Sequence, residues 1–121
     1  MKLLPLVVLT ALVLTLPATA ATTADLQVTP SPAAVGDTVW VSGCGYPLDV
    51  LAPPVTLRII APSGAVSEYG VGVWFEGGCM NPTPIVVLEA GTWLFEAYQY
   101  KGKNRKSAKL ILKASTTLMV S

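Results

Sequence analysis

Residues 92–100 read Thr92-Trp93-Leu94-Phe95-Glu96-Ala97-Tyr98-Gln99-Tyr100. Four of these nine residues are aromatic, and aromatic residues fit the pleated, half-buried surface of a sheet. Successive side chains of a strand point to opposite faces. Trp93, Phe95 and Ala97 therefore fall on one face, and Leu94, Glu96 and Tyr98 on the other. The first set is wholly apolar, which marks it as the core side. Glu89-Ala90-Gly91 before the run and Lys101-Gly102-Lys103-Asn104 after it are turn sequences.

Similar segments lie on both sides. Residues 26–29, 38–42, 55–61 and 85–88 read as strands, and 66–75 as one long strand or two short ones, because Gly70 and Gly72 weaken its middle. A last strand is expected within 109–120, with a bulge near residues 113–115. Pro30-Ser31-Pro32, Val35-Gly36-Asp37, Gly43-Cys44-Gly45-Tyr46-Pro47, Pro62-Ser63-Gly64 and residues 76–82 separate them. Turn signals thus recur at roughly eight to twelve residues, and no stretch shows a helical period, a pattern that points to a sandwich or barrel. Val39 and Val41 alternate with Trp40, and Val55, Leu57 and Ile59 alternate with Thr56, Arg58 and Ile60. Two sheets packed face to face bury the first set of each. The expectation is an all-β, antiparallel sandwich of about seven strands.

The beginning of the chain has a different character. Lys2 is followed by an uncharged apolar run over residues 3–16, then Pro17 and Ala18-Thr19-Ala20. A positive start, an apolar stretch and a small-residue cleavage site form a secretory signal peptide. The apolar run is shorter than the roughly 20 residues of a spanning helix, and Pro5 and Pro17 sit at its ends. Residues 1–20 are therefore expected to be a signal peptide, and residues 21–121 one domain that is secreted or at the cell surface, with no membrane span after cleavage.

Eight basic and seven acidic side chains give the whole chain a net charge of +1. Loss of Lys2 with the export segment leaves seven of each, and such a balance gives no general attraction to nucleic acid or a membrane. Only 12% of residues are charged, about half the usual share, so self-association into an oligomer is among the expectations. The absence of histidine removes histidine-based triads, histidine zinc sites and a charge switch near neutral pH. Two cysteines cannot form a zinc site alone. In an exported chain, Cys44 and Cys79 are expected to form one disulfide.

Residues 26–43, Leu26-Gln27-Val28-Thr29-Pro30-Ser31-Pro32-Ala33-Ala34-Val35-Gly36-Asp37-Thr38-Val39-Trp40-Val41-Ser42-Gly43, resemble the opening of bacterial immunoglobulin-like domains. Those begin with a Pro-rich strand, a Gly-Asp or Gly-Thr turn and a V-x-V-x-G strand. Ala90-Gly91-Thr92-Trp93-Leu94-Phe95-Glu96-Ala97 resembles their A-G-T-Y-x-V-x-A strand, with Trp93 at the tyrosine position. The resemblance covers most of residues 21–121 and implies an immunoglobulin-like sandwich. At Trp93 it implies a corner-packing aromatic, here without the hydroxyl of the tyrosine corner. It names no ligand, because such folds serve as stalks, adhesins, polymer-binding modules and enzyme appendages.

In that fold the connections holding Cys44 and Cys79 lie at one end, where a bridge staples two loops. The connection after residue 100 lies at the same end. Lys101, Lys103, Arg105, Lys106, Lys109 and Lys113 crowd into thirteen positions around it. This basic end has two readings: an anion-binding tip for a polymer or an acidic protein, with Tyr98 and Tyr100 nearby, or a solvated turn whose lysines discourage edge pairing. Ile60, Leu94 and Tyr98 point away from the expected core and are candidates for an interface with another protein or another copy.

The seven acids, Asp25, Asp37, Asp49, Glu68, Glu76, Glu89 and Glu96, are dispersed, with no paired-carboxylate or metal-ligand spacing. A calcium site using Asp37, Asp49 or Glu76 has no spacing that demands it. No catalytic residue, metal or cofactor is expected, and the chain is read as a non-enzyme. The expected role is a secreted structural or interaction module, binding or adhesive, whose partner is a protein or a cell-surface polymer. Nucleic acid is not an expected partner. The alternatives are an anionic-polymer module acting through the basic end, or an oligomer-forming surface subunit.

Overall fold

The computed structural model describes residues 24–48, 53–74, 77–102, 104, 106 and 108–121. The export segment expected at residues 1–20 lies outside them, as do Asp49, Glu76, Lys103 and Arg105. Among the described residues there are seven strands and no helix. They are β1 (Gln27–Thr29), β2 (Thr38–Ser42), β3 (Val55–Ile60), β4 (Val66–Val71), β5 (Thr83–Val86), β6 (Gly91–Lys101) and β7 (Lys109–Val120). They form a three-stranded sheet, β1-β2-β5, and a four-stranded sheet, β4-β3-β6-β7. Every strand pairing is antiparallel.

The period-two pattern sets the core. Val39 and Val41 of β2, Val55, Leu57 and Ile59 of β3, Trp93, Phe95 and Ala97 of β6, and Leu118 and Val120 of β7 are all buried in one cluster. Both sheets contribute to it, an arrangement consistent with a sandwich. Trp93 and Phe95 stack with ring centroids 6.5 Å apart. The indole Nε1–H of Trp93 donates to the Glu89 carbonyl at 2.9 Å, so the buried ring keeps its polar edge satisfied.

Three details differ from or sharpen the sequence reading. The fifth strand spans Thr83–Val86 rather than 85–88. Pro84 stands inside it, on an edge strand where its missing N–H costs no ladder bond. The chain then leaves the sheet, with the Val87 N–H and carbonyl bonded to the turn at Asp37 and Gly36. The fourth strand stops at Val71 and folds back on β3 across Pro62-Ser63-Gly64, where Gly64 has φ +94°. Beyond it, among the described residues before β5, only Val73 makes a bridge, to Met80. The bulge in β7 falls at Lys113: Ala97 faces Ala114 whereas Tyr98 faces Leu112.

The peptides Thr29-Pro30 and Ser31-Pro32 are cis. After them the chain leaves β1 and reaches β7. Ala33 forms a parallel bridge with Val120. The Ala33 N–H donates to Met119, the Ser121 N–H to Ala33 and the Val35 N–H to Ser121, each at 3.0 Å. The N-terminal segment is thus bonded first to one sheet and then to the other.

Candidate functional site

β2, β4 and β6 end where β3, β5 and β7 begin, so their three connections gather at one end of the molecule. Cys44 of the first connection is disulfide-bonded to Cys79 of the second. Hydrogen bonds reinforce the junction. The Met80 N–H donates to Gly43 at 2.8 Å, the Tyr46 N–H to Gly78 at 3.0 Å and the Trp74 N–H to Cys79 at 2.8 Å. Asp25, just ahead of β1, closes the ring: its N–H donates to the Cys44 carbonyl at 2.9 Å, and its Oδ1 accepts the Cys44 N–H at 2.8 Å.

Two glycines make this crowding feasible. A Cβ on Gly43 would run into the Asp25 carbonyl, and one on Gly78 would stand 2.5 Å from the Tyr46 carbonyl oxygen. Gly78 also has φ +60°, which side chains other than glycine's disfavour.

Tyr46 is the keystone of the junction. Its side chain is 1% exposed although it belongs to a loop. Its hydroxyl donates to the Asp25 carbonyl at 2.5 Å. Burial, with the nearby Asp25 charge second, pushes the phenol up to about 12 from its ordinary 10.0. Gln99 ties the same loop to β6. It is 3% exposed, and its Nε2 donates to Pro47 at 2.9 Å and to Pro54 at 3.0 Å. The sequence reading missed both roles. Gln99 was legible in principle, because it continues the inward series Trp93, Phe95, Ala97. Nothing periodic marks Tyr46.

Beside the junction lies an open cleft of about 670 Å³, lined by Tyr46, Pro47, Leu48, Ile111, Leu112 and Lys113 among others. Lys113, the bulge residue, is the only charged residue lining it among the described residues. Lys101 and Lys109 face each other across β6 and β7, and Lys106 lies in the connection between them. All four lysines are exposed. Among the described residues the only ion pair is Arg58–Glu68, at 2.9 Å. Lys103 and Arg105, expected in the same cluster, lie outside the described residues.

Ile60, Leu94 and Tyr98 share the outer face of the four-stranded sheet. Ile60 stands directly opposite Leu94. Tyr98 stands two rows away, opposite Thr56, and the row between holds Arg58 and Glu96. The Arg58 guanidinium lies 4.9 Å from the Tyr98 ring centroid and donates to Glu68, while the Tyr98 hydroxyl donates to Glu96 at 3.0 Å. The bond to Glu68 raises the Arg58 pKa, and desolvation followed by the bond to Glu96 raises that of Tyr98. A charged row therefore separates Tyr98 from the apolar pair. Asp37 serves a local turn, its Oδ2 accepting the Ala34 N–H at 2.9 Å. Among the described residues no group of three or more His, Cys, Asp or Glu side chains converges as a metal site. No helix among them is long and apolar enough to cross a membrane.

The chain matches no protein-family model, no curated protein and no solved structure.

Proposed function

We propose that this chain is an exported, non-catalytic interaction module with an immunoglobulin-like fold, presenting its stapled loop end to a protein or cell-surface polymer. The observation that carries this reading is the gathering of three connections at one end, two of them tied to each other by Cys44–Cys79 and by Tyr46 beside an open cleft. Binding sites favour loops held by a rigid scaffold, and this end is such a scaffold. The strand order β1-β2-β5 over β4-β3-β6-β7 and the Trp93 indole bonded back to Glu89 support the immunoglobulin-like assignment. The disulfide suits an oxidising compartment, in line with the signal-peptide pattern of residues 1–20.

The facing pair Lys101 and Lys109, with Lys106 and Lys113 close in sequence, favours a second reading, a tip for an anionic polymer. Binding of the full chain to heparin and to polygalacturonate at low and high salt tests it. Screening weakens contacts between exposed charges. Salt-sensitive binding reduced by Lys101→Glu with Lys109→Glu supports the anionic reading. Absent or salt-insensitive binding leaves a solvated turn. Cross-linking and capture through the loop end, compared with a Leu48→Glu variant, tests the broader proposal, which is lost if partners bind both proteins equally.

A further inference from the structure

A second concavity lies at the disulfide, toward the three-stranded sheet. It measures about 410 Å³ and is lined by Asp25, Gln27, Ser42, Trp74 and Pro82 with the two cysteines. Trp74 is 62% exposed, although its backbone is held by the bond to Cys79 and lies beside the Val73–Met80 bridge. A large apolar ring kept in water on an anchored backbone is available for contact, and it gains weight only as part of a wider surface.

The concavity adjoins the outer face of the three-stranded sheet through Ser42 and Gln27. Ser42 and Trp40 alternate on β2 and so point the same way, roughly 7 Å apart along the strand. Trp40 is 48% exposed. Gln27 pairs with Ser42, Thr29 with Trp40, and Pro84 with Trp40 from the other side. The surface thus runs from one exposed indole, across amide and hydroxyl side chains, to a second exposed indole.

Its charge narrows the occupant. The described basic residues all belong to the other sheet and its β6–β7 connection: Arg58, Lys101, Lys106, Lys109 and Lys113. Among the described residues the one ionisable group lining the concavity is Asp25, whose Oδ1 is engaged by Cys44. An anionic polymer finds no counter-charge here. A sugar ring has an apolar C–H face and a rim of neutral hydroxyls that both donate and accept. An indole plate suits the first, and Gln, Ser and Thr side chains suit the second. We propose that the surface from Trp74 to Trp40 binds a neutral glycan chain, with the two indoles as stacking platforms. This goes beyond the loop-end reading and does not depend on it.

The test is affinity electrophoresis of the full chain in gels holding hydroxyethyl cellulose, glycol chitin, glucomannan or a β-1,3-glucan, at low and high salt. Retardation by at least one polymer at both salt concentrations is expected, because a neutral ligand is not screened. Trp74→Ala should weaken it tenfold or more and Trp40→Ala by a smaller factor. Lys101→Glu with Lys109→Glu should leave it unchanged. Near-ultraviolet circular dichroism from buried Trp93 checks that each variant is folded. Four results overturn the proposal: no retardation in any gel, retardation lost at high salt, retardation that survives loss of both tryptophans in a folded variant, or binding of a polyproline peptide in place of every glycan. The lysine variants' response to heparin reads the loop-end proposal separately.

Discussion

The hydroxyl of Tyr46 donates to the backbone carbonyl of Asp25 across 21 residues of sequence, inside a junction that the rest of the loop end is built on. Tyr46→Phe keeps the ring and removes this donor, leaving a carbonyl in a part-buried site without its partner. The cost should be about 1–3 kcal/mol, measured by urea denaturation against the parent protein. An unchanged midpoint would show that the bond is dispensable.

The same residue predicts a pH dependence. Tyr46 ionises near 10.0 when unfolded and near 12 when folded. Between those values the unfolded state binds fewer protons, so unfolding becomes easier as pH rises. The contribution is intact below about pH 10 and declines toward pH 12, by about 3 kcal/mol in total. Denaturation curves at intervals over that range should show the fall, and Tyr46→Phe should lack this component of it.

Cys44 and Cys79 close a loop with a sequence separation of 35. Chain entropy alone assigns such a closure about 4 kcal/mol. Replacing both cysteines with alanine, or reducing the bridge, should lower stability by up to that amount. The four-stranded sheet should keep its native circular-dichroism signal, since its ladders hold without the bridge.

Gly43→Ala makes a sharper demand. Its Cβ would collide with the Asp25 carbonyl, which is backbone and cannot rotate away. A loss of about 3 kcal/mol or more is expected. Gly36→Ala, where nothing lies within 4 Å, meets only the strain of φ +94° and should cost less.

Trp93→Phe tests the corner at the start of β6. The indole N–H to Glu89 bond is lost, at about 1–2 kcal/mol, while the stacking partner Phe95 remains. Thermal unfolding of the variant reads it directly.

The core was legible because a strand's period is two and its apolar set is unmistakable at Trp93, Phe95 and Ala97. The bulge at Lys113 fell within the segment where it was expected, and the Cys44–Cys79 pair was legible because an exported chain with two cysteines has one pairing. The true place of the fifth strand was hidden by Pro84, which reads as a breaker unless the strand is known to be an edge. The partnership of β4 with β3 follows from the tight turn at Gly64, but the sequence leaves open how far that strand extends. The loop-end contacts were the least legible. Asp25, Tyr46 and Gly78 meet through backbone carbonyls and N–H groups, which no side-chain pattern advertises. The outer-face trio was visible by alternation, yet the row of Arg58 and Glu96 that divides it emerges only from the strand register.

The route of the chain gives the molecule a polarity. Ala24 lines the cleft at the loop end, whereas Ser121 is bonded to Ala33 and Val35 at the far end, beside Gly91. The described chain therefore starts at the loop end. A segment joined after Ser121 starts from the end away from the stapled loops. A tether on the first side turns the loop end toward its anchor, and a tether on the second turns it outward. The placement of an affinity tag or a surface linkage therefore sets which pole of the protein the surroundings can reach.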